Sequence, residues 1–571
     1  MLCSGVTGAQ TIERLSTTNS GAQPDGASLH ARSNADGSLV VFLSSASNLV
    51  PNDRNGRADI FVLDRLAGVT ERVSLSFLGG DPNDTSFPAV ISADGRFVAF
   101  GCAASNIVTG DFNRVPDIFV FDRVERRSEI LSLSQDGQGG GAVPDLPPAI
   151  TPEGRFVAFA SQADNLVAND ANQASDVFVV DRDDGRIELI TYTALGAPDT
   201  RSANDDSAGP MISQDGCVVA FFSDATNLVP MDTNQFRDVF VRDRCSGGVE
   251  RVSVNREGAQ ANGPSQIELH ALGLSADGRF VLFTSRATNL DEIPTGGTTQ
   301  IFLRDRATGA TQLVSRNAGG EAGNGLSVAP SISADGRFVA FQSLASNLVD
   351  DDVNGRSDVF VLDRTDGEVR LVSQTADGRP SDGDSTVPSI SDDGSRIVFQ
   401  SSGRLTPDDL NNLVDTYSVV NPMYGKPLPQ TPTPDPSPTA SATAVEEETP
   451  TAVPTPEPPT VTPTRQAASP TASLTATALP TLPEATRTAT AATVATATPV
   501  VPTPSAAAAT ATRTATASAS PRGGSGGGGC SCRIDPPQTG REAGQSGWPA
   551  AALPVVLWGM RRRHLRLRQP S

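Results

Sequence analysis

Histidine occurs three times in this chain of 571 residues, tryptophan twice and tyrosine three times. So little imidazole leaves few candidates for general acid–base work. His30, His270 and His564 have no serine, cysteine or metal-ligand partner in view, and they read as surface residues. Few large aromatic rings mean few stacking platforms for sugars, which disfavours a lectin. Trp548 and Trp558 both fall near the C-terminus, and Phe112 and Phe236 are placed as small exposed anchors in loops. Six cysteines are too few for a disulfide scaffold. Basic charge is short as well: 44 Lys and Arg against 65 Asp and Glu leave a net charge of −21. A surface of that sign repels phosphate backbones, so nucleic acid is not the expected partner. It suits solubility outside the cell and can attract divalent cations. No zinc-ligand spacing or P-loop is present. The G-x-S-x-G at 523–527 lies in a glycine-rich stretch without strand-to-helix context, so it is not a nucleophile elbow.

What the chain does have is self-similarity. A turn of Asp-Gly or Glu-Gly recurs at Asp36, Asp94, Glu153, Asp215, Asp277, Asp335 and Asp393, at intervals of 58, 59, 62, 62, 58 and 58. Ahead of each turn sits a short segment such as PSIS. Behind it come runs such as GRFVAF, DVFVLDR and EVRLVSQ. Phe, Val and Ile fill the runs, Gly and Asp fill the turns, and no segment has helical periodicity. Four short strands per repeat, here called a to d, read as the blades of an all-β propeller. The last copy runs into proline-rich sequence where its strand d belongs, while residues 11–17, TIERLST, match the strand d segment TERVSLS. Seven a-b-c sets and seven d strands therefore predict a seven-bladed ring of four-stranded blades closed by the N-terminal strand. Closure removes the exposed edges of an open array.

The wording S-x-D-G-R-x-V-x-F-x-S followed by D-[IV]-[FY]-V-x-D, over residues 11 to 421, resembles the TolB-type propeller repeat, a relative of WD repeats. The seventh copy departs from it, with Val420-Asn421 in place of Asp-Arg. The resemblance implies an exported propeller that works through protein contacts, in some members as a domain beside a hydrolase.

Six of the seven b–c connections carry D-x-N-x-x-x-D: Asp53/Asn55/Asp59, Asp111/Asn113/Asp117, Asp170/Asn172/Asp176, Asp232/Asn234/Asp238, Asp352/Asn354/Asp358 and Asp409/Asn411/Asp415. Alternating Asp and Asn oxygens in a tight loop can ligate calcium. The loop is nonetheless shorter than a twelve-residue calcium loop and lacks its bidentate Glu. The other reading makes these side chains backbone ligands that shape a turn and tie the start of strand c. The fifth copy, DEIPTGGTTQIF, has lost the motif, which favours the turn with a weak calcium site as the secondary reading.

Cys217 follows Asp-Gly and Cys245 follows Asp-Arg, and only blade four has cysteine at both columns. In an antiparallel blade the start of strand b neighbours the end of strand c, so a Cys217–Cys245 disulfide is expected in an oxidising compartment. Cys102 stands alone and reads as a buried thiol.

The remaining segments concern export. Residues 1–10 lack the basic and apolar regions of a secretory signal, yet Thr7 and Ala9 have the small side chains of a cleavage site. This stretch is read as a signal-peptide remnant, ahead of a propeller at 11–424. Residues 425–529 are rich in Pro, Thr, Ala and Ser and then in Gly, a composition that builds no core and forms an extended disordered stalk. Residues 530–571 combine Cys530 and Cys532 with a short apolar run and a basic tail. That order resembles the myxobacterial-type C-terminal sorting signal (MYXO-CTERM). The resemblance implies processing and surface attachment at Cys530, with Cys532 second. The whole reads as a monomeric, surface-anchored or secreted propeller, a scaffold that meets protein partners through its loop face and the membrane or cell surface through its C-terminus. An extracellular enzyme with a site at the channel mouth and a calcium-stiffened structural protein are the alternatives.

Overall fold

The computed structural model describes residues 10–134, 140–141, 146–168, 170, 172–193, 202–266 and 272–427. Every regular element among them is a β-strand, and the strands form seven four-stranded antiparallel sheets. Six sheets run a-b-c-d in chain order. The seventh takes its outer strand from the N-terminus: Ile12–Arg14 pairs with Asp415–Val420, with Glu13 opposite Ser418. The expected seven-bladed ring and its closure are what the sheet order shows.

Each blade is built on one cross-strand aromatic pair, a phenylalanine of strand b stacked on an aromatic ring of strand c. The centroids lie 5.7 Å apart for Phe341–Phe360 and 6.1 Å for Phe399–Tyr417, with the other five pairs between. These rings are buried and supply the directional part of each core. The Asp-Gly turn needs its glycine. Gly95 has φ 73°, a backbone conformation that strains any side chain, and a Cβ there would also push aside Leu39 Cδ1 of the preceding blade, 2.1 Å away.

Neighbouring blades are also tied by charge. The arginine that follows strand c donates to the carbonyl of its own blade's turn glycine, as Arg123 does to Gly95 O at 2.6 Å and Arg306 to Gly278 O at 2.7 Å. It then reaches an acid on strand d of the preceding blade: Arg123–Glu71 at 2.8 Å, Arg244–Glu188 at 2.7 Å, Arg306–Glu250 at 2.6 Å, and Arg65–Glu13 across the closure. The seventh copy's departure has a reason here. Strand d of blade six carries Arg370 in the acid's column, and Asn421 keeps the bond to Gly394 O at 2.8 Å without a second positive charge.

Strand a is the inner edge of every blade. Pro88, Pro210, Pro330 and Pro388 sit on it, and Pro148 just precedes it in blade three, where a missing N–H breaks no ladder. The a–b pairing slips by one residue in blades one, two, four, six and seven. His30, Gly209, Ala329 and Val387 stand at four of these bulges with φ between 50° and 64°.

Candidate functional site

The seven a strands enclose a channel. Its main cavity, about 240 Å³, is lined from every blade, by residues that include Arg32, Ile91, Ile150, Met211, Leu274, Ile332 and Ile390. A second cavity of about 120 Å³ lies where the chain enters the Asp-Gly turns, and it shares Ser33, Ile91, Ile150, Leu274, Ile332 and Asp392 with the first. A chain of inter-blade backbone hydrogen bonds surrounds this end: Asp393 N–H to Ala35 O, Ala35 to Ala93, Ala93 to Pro152, Gln214 to Ala276, Ala276 to Ala334 and Ala334 to Asp392. The chain breaks at Pro152, which has no N–H to give to Gln214.

Most of the wall repeats from blade to blade, and the exceptions carry the chemistry. Four residues before the turn acid the chain reads Arg32, then Val90, Ala149, Met211, Gly273, Ser331 and Ser389. The next column is aliphatic in six blades and Ser33 in the first. The column just before the acid is small or proline except for Gln214 and Asp392. Arg32, Ser33, Gln214 and Asp392 therefore break the repeat of the inner columns, on a wall whose other polar residues include Ser331, Ser389 and Gln266.

Arg32 holds its charge with little help. Its Nη1 donates to the neighbouring Ala31 carbonyl at 3.2 Å, and no described carboxylate forms an ion pair with it. Burial pushes its pKa down to about 10, still charged at neutral pH, and a guanidinium keeps several donors in a planar fork. His30, read from the sequence as a surface residue ahead of strand a, lies within the strand Ser28–Ser33. Burial first, and the Arg32 charge second, push it down to about 4, so it is neutral at pH 7. The strand starts earlier than its apolar core suggests, because the bulge at His30 breaks the alternation. Nearer the turn end, in the neighbouring blade seven, Asp392 accepts from Gln214 Nε2 at 3.5 Å, and burial followed by the Asp393 charge raises its pKa. The channel thus holds one cationic and one acidic side chain at different depths on a largely aliphatic wall.

The Asp/Asn triads share one arrangement in blades one, two, three, four and six, and blade seven keeps its other bonds while Asp415 Oδ2 has no hydrogen bond among the described residues. In blade six Asn354 Nδ2 donates to Asp358 Oδ2 at 2.6 Å and to Ser381 O at 3.1 Å, while its Oδ1 takes the Arg356 N–H at 2.7 Å. Ser373 Oγ on strand d donates to Asp358 Oδ1 at 2.5 Å and accepts the Val359 N–H at 3.0 Å. Blades one and four repeat this with Asn55, Asp59 and Ser74, and with Asn234, Asp238 and Ser253. In blade two Asn113 Nδ2 donates to Asp117 Oδ2 at 2.8 Å. In blade three Asn172 Nδ2 donates to Asp176 Oδ2 at 2.6 Å and to Ala203 O at 2.8 Å. Across the closure Asn411 Nδ2 donates to Pro24 O at 3.3 Å, and Ser16 serves Asp415 at 2.5 Å. Asn and the last Asp therefore bind strand c to strand d and to the d–a loop.

The six asparagines, read from the sequence as tentative calcium ligands with the aspartates, also have a turn role. In each, Oδ1 accepts the backbone N–H two residues on. Asn113 Oδ1 accepts from Val115 at 3.2 Å, Asn172 from Ala174 at 3.0 Å and Asn411 from Leu413 at 3.0 Å. Asn55, Asn234 and Asn354 do the same with Arg57, Phe236 and Arg356. This is an Asx turn, in which the side chain stands in for a backbone carbonyl. Spacing alone could not separate the two roles, because both place an oxygen at the third position of the loop. Among the described residues no group of three or more His, Cys, Asp or Glu is arranged to hold a metal. Burial, the first cause, raises Asp358 to about 6 and Asp176 to about 7.

Blade five shows how the motif is dispensed with. Gln300 stands in the last aspartate's column. Its Oε1 takes Ser315 Oγ at 2.6 Å and its Nε2 donates to Gly323 O at 2.8 Å and Gly325 O at 3.0 Å. One amide does the work of an Asp and an Asn.

Cys217 and Cys245 are joined in a disulfide with Cα atoms 5.3 Å apart, and Cys102 is free and buried. Phe112 is 85% exposed and Phe236 40%. Cys530, Cys532, His270, His564 and both tryptophans lie outside the described residues, as do residues 1–9 and the stalk beyond residue 427.

No protein-family model and no curated protein matches the chain. Among solved structures it is similar to an oligogalacturonate lyase from Vibrio parahaemolyticus, at 13% identity and a TM-score of 0.43, over 72% of this chain and 97% of that one. It is similar to TolB from Acinetobacter baumannii at 15% identity and a TM-score of 0.33, over 60% and 65%. The β-propeller domain of the Trilobed protease from Pyrococcus furiosus matches at 11% identity and a TM-score of 0.41, over 69% and 95%. The blade count rests on the sheet order itself, and the polar set of the channel belongs to this chain.

Proposed function

We propose that the propeller is a binding module, and that its central channel takes a small ligand bearing a carboxylate. The observation that carries this reading is Arg32, a charged guanidinium facing the larger cavity without an acidic partner among the described residues. A carboxylate matches its fork with two parallel, charge-assisted hydrogen bonds. Asp392 lines both cavities and favours a donor at the ligand's other end. At about 240 Å³ the space is below the roughly 300–1,000 Å³ of sites for drug-sized molecules, so the ligand is small. The probes are ω-amino carboxylates of increasing chain length, titrated calorimetrically into the full chain. One chain length should bind best, and Arg32→Met should weaken it about 10- to 100-fold, the worth of a charged hydrogen bond. Asp392→Asn should weaken the amino carboxylates more than plain carboxylates of equal length. Equal affinity in wild type and Arg32→Met would contradict the proposal.

A second reading, protein contact through the b–c loop face, rests on a separate observation. Phe112, Met231, Val353 and Leu410 are 67–85% exposed, and all lie in these connections. Apolar side chains of this size on rigid loops are natural anchors for a protein partner. Export and display belong to this reading, supported by the Pro/Thr-rich segment, the C-terminal cysteine, apolar and basic sequence, and a Cys217–Cys245 bond that suits an oxidising compartment.

A further inference from the structure

Two residues before the strand-d hydroxyl, blades one, four and seven have an arginine (Arg72, Arg251, Arg14), and the others have Ile130, Leu189, Leu313 and Leu371. The arginine side chains are only 3–9% exposed. Arg72 Nη1 lies 3.1 Å from Asp53 Oδ1 and 3.4 Å from Asp59 Oδ2. Arg251 Nη1 lies 2.8 Å from Asp232 Oδ1 and 3.4 Å from Asp238 Oδ2. Arg14 Nη1 is 3.9 Å from Asp409 Oδ1. The first and last aspartates of the motif thus converge on one point, filled in blades one and four by a guanidinium nitrogen.

The blades fall into three classes. Blades one, four and seven have both aspartates and the cation. Blade five has neither, with Pro294 and Gln300 in the acid columns and Leu313 in the arginine column. Blades two, three and six keep both aspartates beside an aliphatic residue. In blade six Asp352 is 6% exposed, and its Oδ1 is buried without a hydrogen bond or ion pair among the described residues. Asp111 and Asp170, 7% and 6% exposed, likewise find no donor for this oxygen, and the Asp170 carboxyl lies against that of Asp176. Leucine matches the Cβ-to-Cδ stem of arginine and stops short of its charge. Two facing carboxylates removed from water without a counter-charge are strongly disfavoured, and their hard oxygens suit a hard divalent cation.

We propose that the pairs Asp352/Asp358, Asp111/Asp117 and Asp170/Asp176 each hold one divalent cation, of which calcium is the probe, at the position that an arginine nitrogen takes in blades one and four. Asn354, Asn113 and Asn172 each give one Oδ1 lone pair to a backbone N–H and their Nδ2 to the last aspartate, so the two carboxylates are the primary ligands. Water completes the coordination shell. The test is calorimetric titration of the metal-stripped full chain with calcium chloride, together with melting curves. The expected count is three ions per chain, one for each acidic blade without arginine. Leu371→Arg, which gives blade six an internal cation, should reduce the count to two and shrink the calcium-induced rise in Tm. Asp352→Asn removes a ligand, should also leave two, and carries the test if the arginine variant does not fold. No binding at millimolar calcium, a count near six, or an unchanged count in the folded variants would overturn the proposal.

Discussion

At the scale of single residues, the b–c loops are an exchange of equivalent hydrogen-bond sets. Asp and Asn together offer strand d's hydroxyl an acceptor and the d–a loop a donor, and Gln300 offers both from one amide. Gln300→Glu keeps the acceptor and loses the donor. It would leave the Gly323 and Gly325 carbonyls short of a partner and bury a carboxylate at a site with no exposed surface. Denaturant unfolding should show a loss of about 2–4 kcal/mol, whereas a loss under about 0.5 kcal/mol would mean that water takes over the amide's role. The turn role of these loops was legible from the sequence, because blade five does without the motif. Arg32 and Asp392 were not, since reading for a shared repeat passes over residues that occur once. Aligning the blades on the turn acid and looking for the odd residue in each inner column would have found them.

At the scale of elements, the blade count was legible because turns, strands and aromatic pairs recur at nearly constant spacing, and because an orphan strand d at one end matches a missing one at the other. Strand a was the least legible element. Its bulge and its proline remove the alternation by which strands are recognised, so it seemed shorter than the six residues of Ser327–Ile332. The closing strand joins ends of the chain far apart in sequence, and Ser16–Asp415 is the buried bond that anchors it. Ser16→Ala and Ser74→Ala lose the same kind of bond, worth about 1.5–3 kcal/mol when the acceptor is charged. Only the first sits on the terminal strand, so limited proteolysis should release N-terminal fragments from Ser16→Ala sooner than from Ser74→Ala. Equal cleavage rates would mean that the closure is held by the Arg65–Glu13 and Arg14–Asp408 pairs instead.

At the scale of the whole molecule, a near-symmetric ring makes any departure from symmetry informative. The repeated parts explain themselves by packing: aromatic pairs, turn glycines, the belt of arginines on glycine carbonyls, and the Asp/Asn/Ser ties. The unrepeated parts gather where seven inner edges converge, and there the ring places a cation and an acid along one apolar tube. Neither residue is explained by the stability of its own blade, since the other blades hold the same strand with small or apolar side chains in the Arg32 column and, Gln214 apart, in the Asp392 column. The most direct measurement is a crystal structure of the propeller soaked with a short ω-amino carboxylate. The ligand should lie in the channel, its carboxylate forked on Arg32 and its ammonium toward Asp392. A channel without ligand, with density only on the loop face, would contradict that reading.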